Sequence, residues 1–129
     1  MFFLDSSYLI GLILKNDDYN NKASELESII EHESKMINST VFTEVLNSVT
    51  STNSKYDFDY LIESMLSYDI HFLNSSDYVE AVSLFKYYNQ AINFSDCTIL
   101  KTMMDNEITT IVSFDSDFDK IKGINRIFL

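Results

Sequence analysis

The feature that most constrains the fold is an alternation of short apolar runs with longer segments of helical periodicity. The apolar runs read as strands buried on both faces, and the segments between them carry apolar residues at helical spacing. Parallel strands need crossovers, which helices usually supply. We therefore predict one domain over residues 1–129, a three-layer α/β/α fold with a mostly parallel central sheet. The predicted strands are residues 2–4, 36–38, 70–73, 109–112 and 126–129.

Hydroxyl side chains stand where two of the predicted helices begin. Ser6 or Ser7 is expected to cap the first helix, and Ser39 or Thr40 the helix that follows the second strand.

Glycine, proline and cysteine usage excludes several classes of protein. Proline is absent and glycine occurs only twice, at Gly11 and Gly123, so neither common glycine-rich phosphate loop is present. This excludes P-loop NTPases and dinucleotide-binding folds. The one cysteine, Cys97, forbids an intrachain disulfide, fits a reducing compartment and reads as a small buried hydrophobe.

The apolar amino terminus is interrupted by Asp5 and lacks the pattern of a signal peptide. No apolar segment approaches the roughly 20 residues needed to span a bilayer. We expect a cytoplasmic protein without a membrane partner.

The chain is strongly acidic, with a formal net charge of -11. Such a charge opposes non-specific attraction to nucleic acid and favours cationic partners or metal ions. A nucleic-acid enzyme remains compatible with it, because carboxylates gathered around a divalent ion can dominate the count.

Acidic residues recur at comparable places in the predicted elements. Asp5 and Asp115 each come just after a strand, whereas Glu44 and Asp96 lie in the first turns of helices. Asp117 alternates with Asp115 and points the same way. Carboxylates that converge at one sheet edge repel one another and need protons or a cation, and Mg²⁺ or Mn²⁺ is the simplest cation for oxygen ligands.

Each acid also has a structural interpretation. Asp5 can cap the first helix, Asp96 lies three residues after Asn93 in capping geometry, and the helix dipole favours Glu44 in a first turn. Against this, Glu44 and Asp96 lie on the core-facing sides of their helices, where an unpaired charge is costly. The joint metal interpretation is favoured. In the helix of Asp96, the expected inward positions are Ile99, Leu100, Met103 and Met104.

Four segments, in this order and spacing, resemble a PIN domain of the VapC-like toxin-ribonuclease group, and the resemblance covers the whole chain. No single segment is specific, but their combination is. Ser113 stands where threonine is common in the family, which keeps the hydroxyl. The segments are Phe3-Leu4-Asp5-Ser6-Ser7, Thr43-Glu44-Val45, Phe94-Ser95-Asp96-Cys97-Thr98-Ile99 and Ser113-Phe114-Asp115-Ser116-Asp117-Phe118.

The resemblance implies a set of roles. Asp5, Glu44, Asp96 and Asp115 take the places of the metal-binding acids, Asp117 is an accessory acid in the same catalytic and metal site, and Ser6 and Ser113 are polar neighbours that orient carboxylates.

The implied activity is Mg²⁺- or Mn²⁺-dependent endoribonuclease cleavage of RNA. A metal-activated water would attack phosphorus in line and leave 5′-phosphate and 3′-hydroxyl ends. Related toxins pair with a small antitoxin protein and often form homodimers.

Other residues offer weaker signals. Tyr56, Tyr87 or Tyr88 can stack on bases of single-stranded RNA, whereas His32 and His71 are interpreted as structural or surface residues. The cations that could flank the sheet edge and hold phosphates are Lys15, Lys22, Lys101, Lys120, Lys122 and Arg126.

Two rival functions remain open. A phosphotransfer fold with Asp5 as nucleophile is disfavoured because no second acid stands two residues on. A non-catalytic PIN-like module would keep the fold and use its acidic surface to bind a basic protein. At the end of the acidic stretch, Asp119 is expected to cap or solvate the turn, and Phe118 to anchor the loop in the core.

Overall fold

Five short parallel strands form the central sheet. In the computed structural model, which describes residues 1–128, they lie in the order β3-β2-β1-β4-β5 and every neighbouring pair is parallel. The predicted parallel α/β architecture is confirmed. The strands are β1 (Phe2–Leu4), β2 (Lys35–Asn38), β3 (Asp69–His71), β4 (Thr110–Val112) and β5 (Asn125–Ile127).

The last strand begins one residue earlier than predicted and ends at Ile127; Leu129, which the prediction included, lies outside the described residues.

Helices connect the strands and cover the sheet. A short 3₁₀ turn (Ser116–Lys120) follows β4. Within residues 1–128, no helix is long and apolar enough to cross a membrane. The helices are α1 (Ser6–Ile13), α2 (Asn20–Ile30), α3 (Ser39–Thr50), α4 (Phe58–Ser67), α5 (Ser75–Tyr87) and α6 (Phe94–Asp105).

The register of β1 against β4 determines where the functional groups can lie. Leu4 pairs with Val112, so Asp5 and Ser113 leave the sheet side by side. The chain runs from β1 to β2 on one side, and β4 lies on the other. This reversal makes a crevice at the carboxyl ends of β1 and β4, the usual place for a site in an open α/β sheet.

The start of α3 differs from the prediction. Its cap is neither Ser39 nor Thr40 but Asn38, a fully buried residue whose side chain accepts a hydrogen bond from the Val41 amide at 3.1 Å. The Asn38 amide nitrogen also donates to Thr102 Oγ1 of α6 at 3.1 Å. Asn38 therefore ties together the two helices that carry Glu44 and Asp96.

Helix α6 runs through the core and is buried on most of its surface. Ile99, Leu100 and Met103 are buried as predicted, and so is the free thiol of Cys97. Met104 was expected inward but is 57% exposed. It lies outside the buried side of α6, to which Ile99, Leu100 and Met103 belong.

Candidate metal centre

Asp5 lies at the centre of the crevice and is held by two serine hydroxyls. Ser7 Oγ and Ser113 Oγ donate to the same oxygen, Asp5 Oδ2, at 2.8 and 2.7 Å. The two hydroxyls in turn accept from the backbone amides of Phe114 (3.0 Å, to Ser7) and Asp115 (3.0 Å, to Ser113). These bonds join the chain after β1 to the chain after β4 and fix the orientation of the carboxylate.

Asp5 does not act as a helix cap. It stands at the position before α1, but its side chain makes no capping hydrogen bond. Burial raises the pKa of Asp5 above its usual value; the hydroxyls of Ser113 and Ser7 oppose that rise, and the charge of Asp115 adds to it. The position of the Asp5 carboxylate is therefore fixed by the two serines and not by helix capping.

Asp96 carries a buried carboxylate that its surroundings do not fully satisfy. Its backbone amide donates to Asn93 Oδ1 at 2.8 Å, so Asn93 caps α6, yet the Asp96 side chain is 5% exposed and turns toward the other acids. Its Oδ2 is buried and has no hydrogen-bond partner among the described residues. A buried anionic oxygen without a partner is costly, so this oxygen requires a proton or a cation.

The pKa of Asp96 reflects its surroundings. Burial, and after it the charges of four neighbouring acids, together raise the pKa of Asp96 to about 8. In order of their contribution they are Asp5, Asp115, Glu44 and Asp117.

Three acids approach closely enough to share one ion. Asp96, Asp115 and Asp117 each offer a carboxylate oxygen, and these oxygens lie within 4.8 Å of one another. Asp115 Oδ1 accepts from the Asp117 amide at 2.9 Å, which fixes the turn after β4. Lys120 Nζ contacts Asp117 Oδ1 at 2.9 Å and brings a positive charge to the rim of the cluster.

Glu44 and Asp5 border this group of three without belonging to it. Glu44 is half-buried, and its pKa is raised first by burial and then by the charge of Asp5. Both acids also raise the pKa of Asp96, so all five predicted residues belong to one electrostatic unit. That Asp5 and Glu44 ligate a metal stays a prediction.

The chemistry of the donors suits a hard divalent cation. Carboxylate oxygens are the ligands that Mg²⁺ and Mn²⁺ prefer, and the unpartnered Asp96 Oδ2 is available to such an ion. The residues present therefore fit the metal that the resemblance implies.

The sequence matches the PIN domain family over residues 2–124. The chain belongs to the PIN domain family. A search of proteins with curated functions found no match.

Solved structures share the same fold. VapC20 of Mycobacterium tuberculosis, described as a sarcin-ricin loop cleaving toxin, superposes with a TM-score of 0.83 at 15% identity and with 100% of both chains covered. VapBC2 of Rickettsia felis, bound to a DNA fragment from its promoter, gives a TM-score of 0.72 at 16% identity, covering 99% of this chain and 98% of that one. A toxin–antitoxin complex from Klebsiella pneumoniae gives 0.68 at 16%, covering 96% and 95%. This PIN domain therefore has the fold found in VapC toxins.

One residue of the site was missed from the sequence. Ser6 was expected beside the carboxylate, but the side chain that donates to Asp5 is that of Ser7. The available signal was spacing, because a hydroxyl two residues after an acid at the start of a helix can turn back to it.

Two expectations for the end of the acidic loop are changed by the structure. Asp119 is exposed to solvent, as one of the two expected roles requires, but its carboxylate does not cap the turn: the two oxygens accept from Arg126 Nε and Nη2 at 2.9 and 2.8 Å. Arg126 Nη1 also donates to the Ser113 carbonyl at 3.2 Å, so this cation braces the loop instead of facing a phosphate. Phe118 is 1% exposed and anchors the loop in the core as predicted.

Proposed function

We propose that this PIN domain is a divalent-metal-dependent endoribonuclease and the toxin of a type II toxin–antitoxin pair. The observation that carries the proposal is Asp96 Oδ2, a buried carboxylate oxygen without a partner beside Asp115 and Asp117. A structural acid would be paired or exposed. The descriptions of the structural neighbours, a sarcin-ricin loop cleaving toxin and a toxin–antitoxin complex, support the same function.

Asp5, Glu44, Asp96, Asp115 and Asp117 would hold Mg²⁺ or Mn²⁺. When bound, the ion would supply a water of lowered pKa as nucleophile and positive charge to stabilise the negative charge on the phosphoryl oxygens in the transition state.

The protein's own residues prepare the site. Ser7 and Ser113 keep Asp5 oriented, which is the work that partners of metal-ligating carboxylates usually do. Asp96 gives up its proton when the site is loaded, because a cation removes the repulsion that raises its pKa. Lys120, at the rim beside Asp117, is placed to contact a non-bridging phosphate oxygen.

The partners follow from the proposed function. The substrate is RNA, a small cognate antitoxin neutralises the enzyme, and the working form is a cytoplasmic homodimer.

The test is cleavage of single-stranded and structured RNA by purified protein, with Mn²⁺ or with EDTA, followed by analysis of the new ends. The expected result is metal-dependent internal cleavage that leaves 5′-phosphate and 3′-hydroxyl ends and is lost in Asp115→Asn. Cleavage that persists in EDTA or in Asp115→Asn would contradict the proposal. A protein that binds no Mn²⁺ and cleaves no RNA would favour the non-catalytic binding module.

A further inference from the structure

A cleft of about 440 Å³ opens beside the metal centre, between α3 and the amino-terminal ends of α5 and α6. It adjoins the acidic site, because Glu44 lines the cleft and is close enough to Asp5 for that charge to raise its pKa, and Ser95 of the cleft precedes Asp96. Whatever occupies this cleft therefore lies next to the acidic cluster.

The lining of the cleft suits a neutral, flat ligand. It combines the hydroxyls of Thr43 and Ser95 with the rings of Tyr78 and Phe94, and its one charged residue is Glu44. No lysine or arginine stands among the described lining residues. A phosphate would meet a carboxylate without a counter-charge there, whereas a nucleobase would meet aromatic and hydroxyl groups.

The aromatic rings of the cleft form a platform that packing against a third ring holds in place. Tyr78 and Phe94 are nearly parallel, with centroids 6.2 Å apart and 9° between their planes, and Phe85 meets Phe94 edge-on at 5.9 Å and 88°. Phe94 is half-buried at the first position of α6, while Tyr78 is 47% exposed. The platform therefore exposes a ring to the cleft without having to reorganise.

The hydroxyls of the cleft divide into satisfied and available groups. Thr40 Oγ1 and Thr98 Oγ1 lie 3.1 Å apart and bond to each other, and Thr98 Oγ1 also bonds to the Ser95 carbonyl at 2.7 Å. The side-chain oxygens of Thr43 and Ser95 make no hydrogen bond to another residue in the range 1–128. They are free to bind a ribose hydroxyl or a base edge.

We propose that this cleft is a nucleotide subsite, in which an unpaired base of the RNA flanking the cleaved bond stacks on Tyr78 while Thr43 and Ser95 bind its polar groups. The inference rests on the proposed function. Stacking tolerates every base, so the subsite selects unpaired RNA over duplex and adds affinity that the acidic surface cannot supply.

The chain provides a matched control on the same helix. Tyr87 lies nine residues after Tyr78 on α5, about 14 Å along the axis at about 1.5 Å per residue. It is 76% exposed and borders a different cavity, with Ile108 and Thr109 at the amino-terminal end of β4. Tyr87→Ala therefore removes an exposed tyrosine ring of the same kind, but far from the metal centre. This position also places Tyr87, a base-stacking candidate from the sequence, at the opposite edge of the sheet.

The experiment measures binding of fluorescently labelled hexaadenylate and hexauridylate RNA in Ca²⁺, for the wild type, Tyr78→Ala, Tyr78→Phe and Tyr87→Ala. We expect Tyr78→Ala to weaken binding roughly tenfold, with a larger loss for the adenine oligomer because its ring is larger. Tyr78→Phe and Tyr87→Ala should stay within about twofold of the wild type. Mn²⁺ affinity, measured by calorimetry, should be equal in all four and so report an intact fold and metal centre.

Several outcomes would overturn the subsite. One is equal affinity of Tyr78→Ala and the wild type while the wild type cleaves RNA, which leaves the proposed function standing. Another is an equal loss for an oligomer of abasic ribose phosphates, which would assign the contact to the backbone. A third is a dimer that Tyr78→Ala converts to a monomer with unchanged RNA affinity, which would make this face a contact between copies. A wild type that binds no RNA and cleaves none would remove the proposed function together with the subsite.

Discussion

Two helices of this protein begin with nearly the same four residues and use them differently. Asn74-Ser-Ser-Asp77 opens α5 and Asn93-Phe-Ser-Asp96 opens α6, and in both cases the asparagine side chain caps the amide of the aspartate, at 2.9 and 2.8 Å. Both aspartates are 5% exposed. The local backbone is therefore the same at the two sites, and the difference lies in where the carboxylate goes.

The Asp77 carboxylate is bound by the surrounding structure through its Oδ2 atom. Its Oδ2 accepts from the Asn74 amide at 2.9 Å, completing a capping box, and contacts His71 Nε2 at 2.8 Å. These bonds lower the pKa of Asp77, the one to the Asn74 amide most of all. The Asp96 carboxylate has no such partner, and burial among acids raises its pKa to about 8. A capping motif thus fixes a helix start, while the surrounding fold decides whether the acid is structural or functional.

The largest difference is expected in catalysis. Asp96→Asn should reduce Mn²⁺-dependent RNA cleavage by more than about a hundredfold, since even partners of metal ligands typically contribute about 10- to 100-fold. Asp77→Asn should stay within a few-fold of the wild type, because Asp77 binds Asn74 and His71 instead of the metal centre. Rates of cleavage of one RNA by the three proteins test this. Equal losses of cleavage rate in the two variants would show that Asp77 and Asp96 do not differ in function.

Loss of a supporting hydroxyl should weaken the metal site to a lesser degree. Ser113→Ala removes one of the two donors to Asp5 Oδ2 and should lower Mn²⁺ affinity about tenfold or more. Ser116→Ala, an exposed position in the same loop, is the matched control and should bind like the wild type. If calorimetry gives the same affinity for all three proteins, the serine does not orient the acid.

Asp96 and Asp77 should contribute to the pH dependence of the free energy of unfolding with opposite signs. In metal-free protein, folded Asp96 binds its proton up to about pH 8 whereas the unfolded chain loses it near pH 4. The free energy of unfolding should therefore fall as pH rises between these values, by an amount on the order of a few kcal/mol. The pKa of Asp77 is lowered, so its contribution is present above about pH 4 and lost as the solution becomes more acidic.

Urea unfolding in EDTA from pH 4 to 9 measures this profile. Asp96→Asn should flatten it and be more stable than the wild type near pH 8, and Mn²⁺ should also flatten it by removing the repulsion. A wild-type profile that rises from pH 4 to 8, or one that Asp96→Asn leaves unchanged, would mean that burial and the charges of the neighbouring acids do not destabilise ionised Asp96.

The smallest effect is expected from the structural acid. Asp77→Asn should lower the free energy of unfolding by about 1 kcal/mol, because it weakens the return bond to the Asn74 amide and the contact with His71. Thermal unfolding at pH 7, with Asp59→Asn as an exposed first-turn control on α4, measures it. A loss in the control equal to that in Asp77→Asn would assign the effect to helix charge alone.

The alternation of strands and helices in the sequence was enough to predict most of the fold. The acids at strand ends and helix starts were enough to predict the candidate site. Periodicity and spacing are local signals, so they could identify α6 and place Asp96 in its first turn. They could not separate Asp96 from Asp77, because the two local sequences are nearly identical. A related limit applies to Asn38. Its cap bond to the Val41 amide is local, but its second bond, to Thr102 Oγ1, joins it to a residue 64 positions away that no local pattern indicates.

The solvent exposure and the partners of individual side chains also could not be predicted from the sequence. Met104 fits the helical spacing of its buried neighbours yet is open to solvent, and Arg126 reads as a phosphate contact until Asp119 is placed beside it. Both depend on which elements pack against a face, which the sheet order determines and a single helix does not reveal.

Calorimetric titration with Mn²⁺ at pH 7 can show whether Asp96 belongs to a cation site and Asp77 does not. We expect saturable binding by the wild type, unchanged binding by Asp77→Asn and loss of binding by Asp96→Asn. Binding by the wild type should also release protons, because the pKa of Asp96 is raised to about 8. Undiminished Mn²⁺ binding by Asp96→Asn, or no binding by the wild type, would contradict the assignment of Asp96 to a cation site.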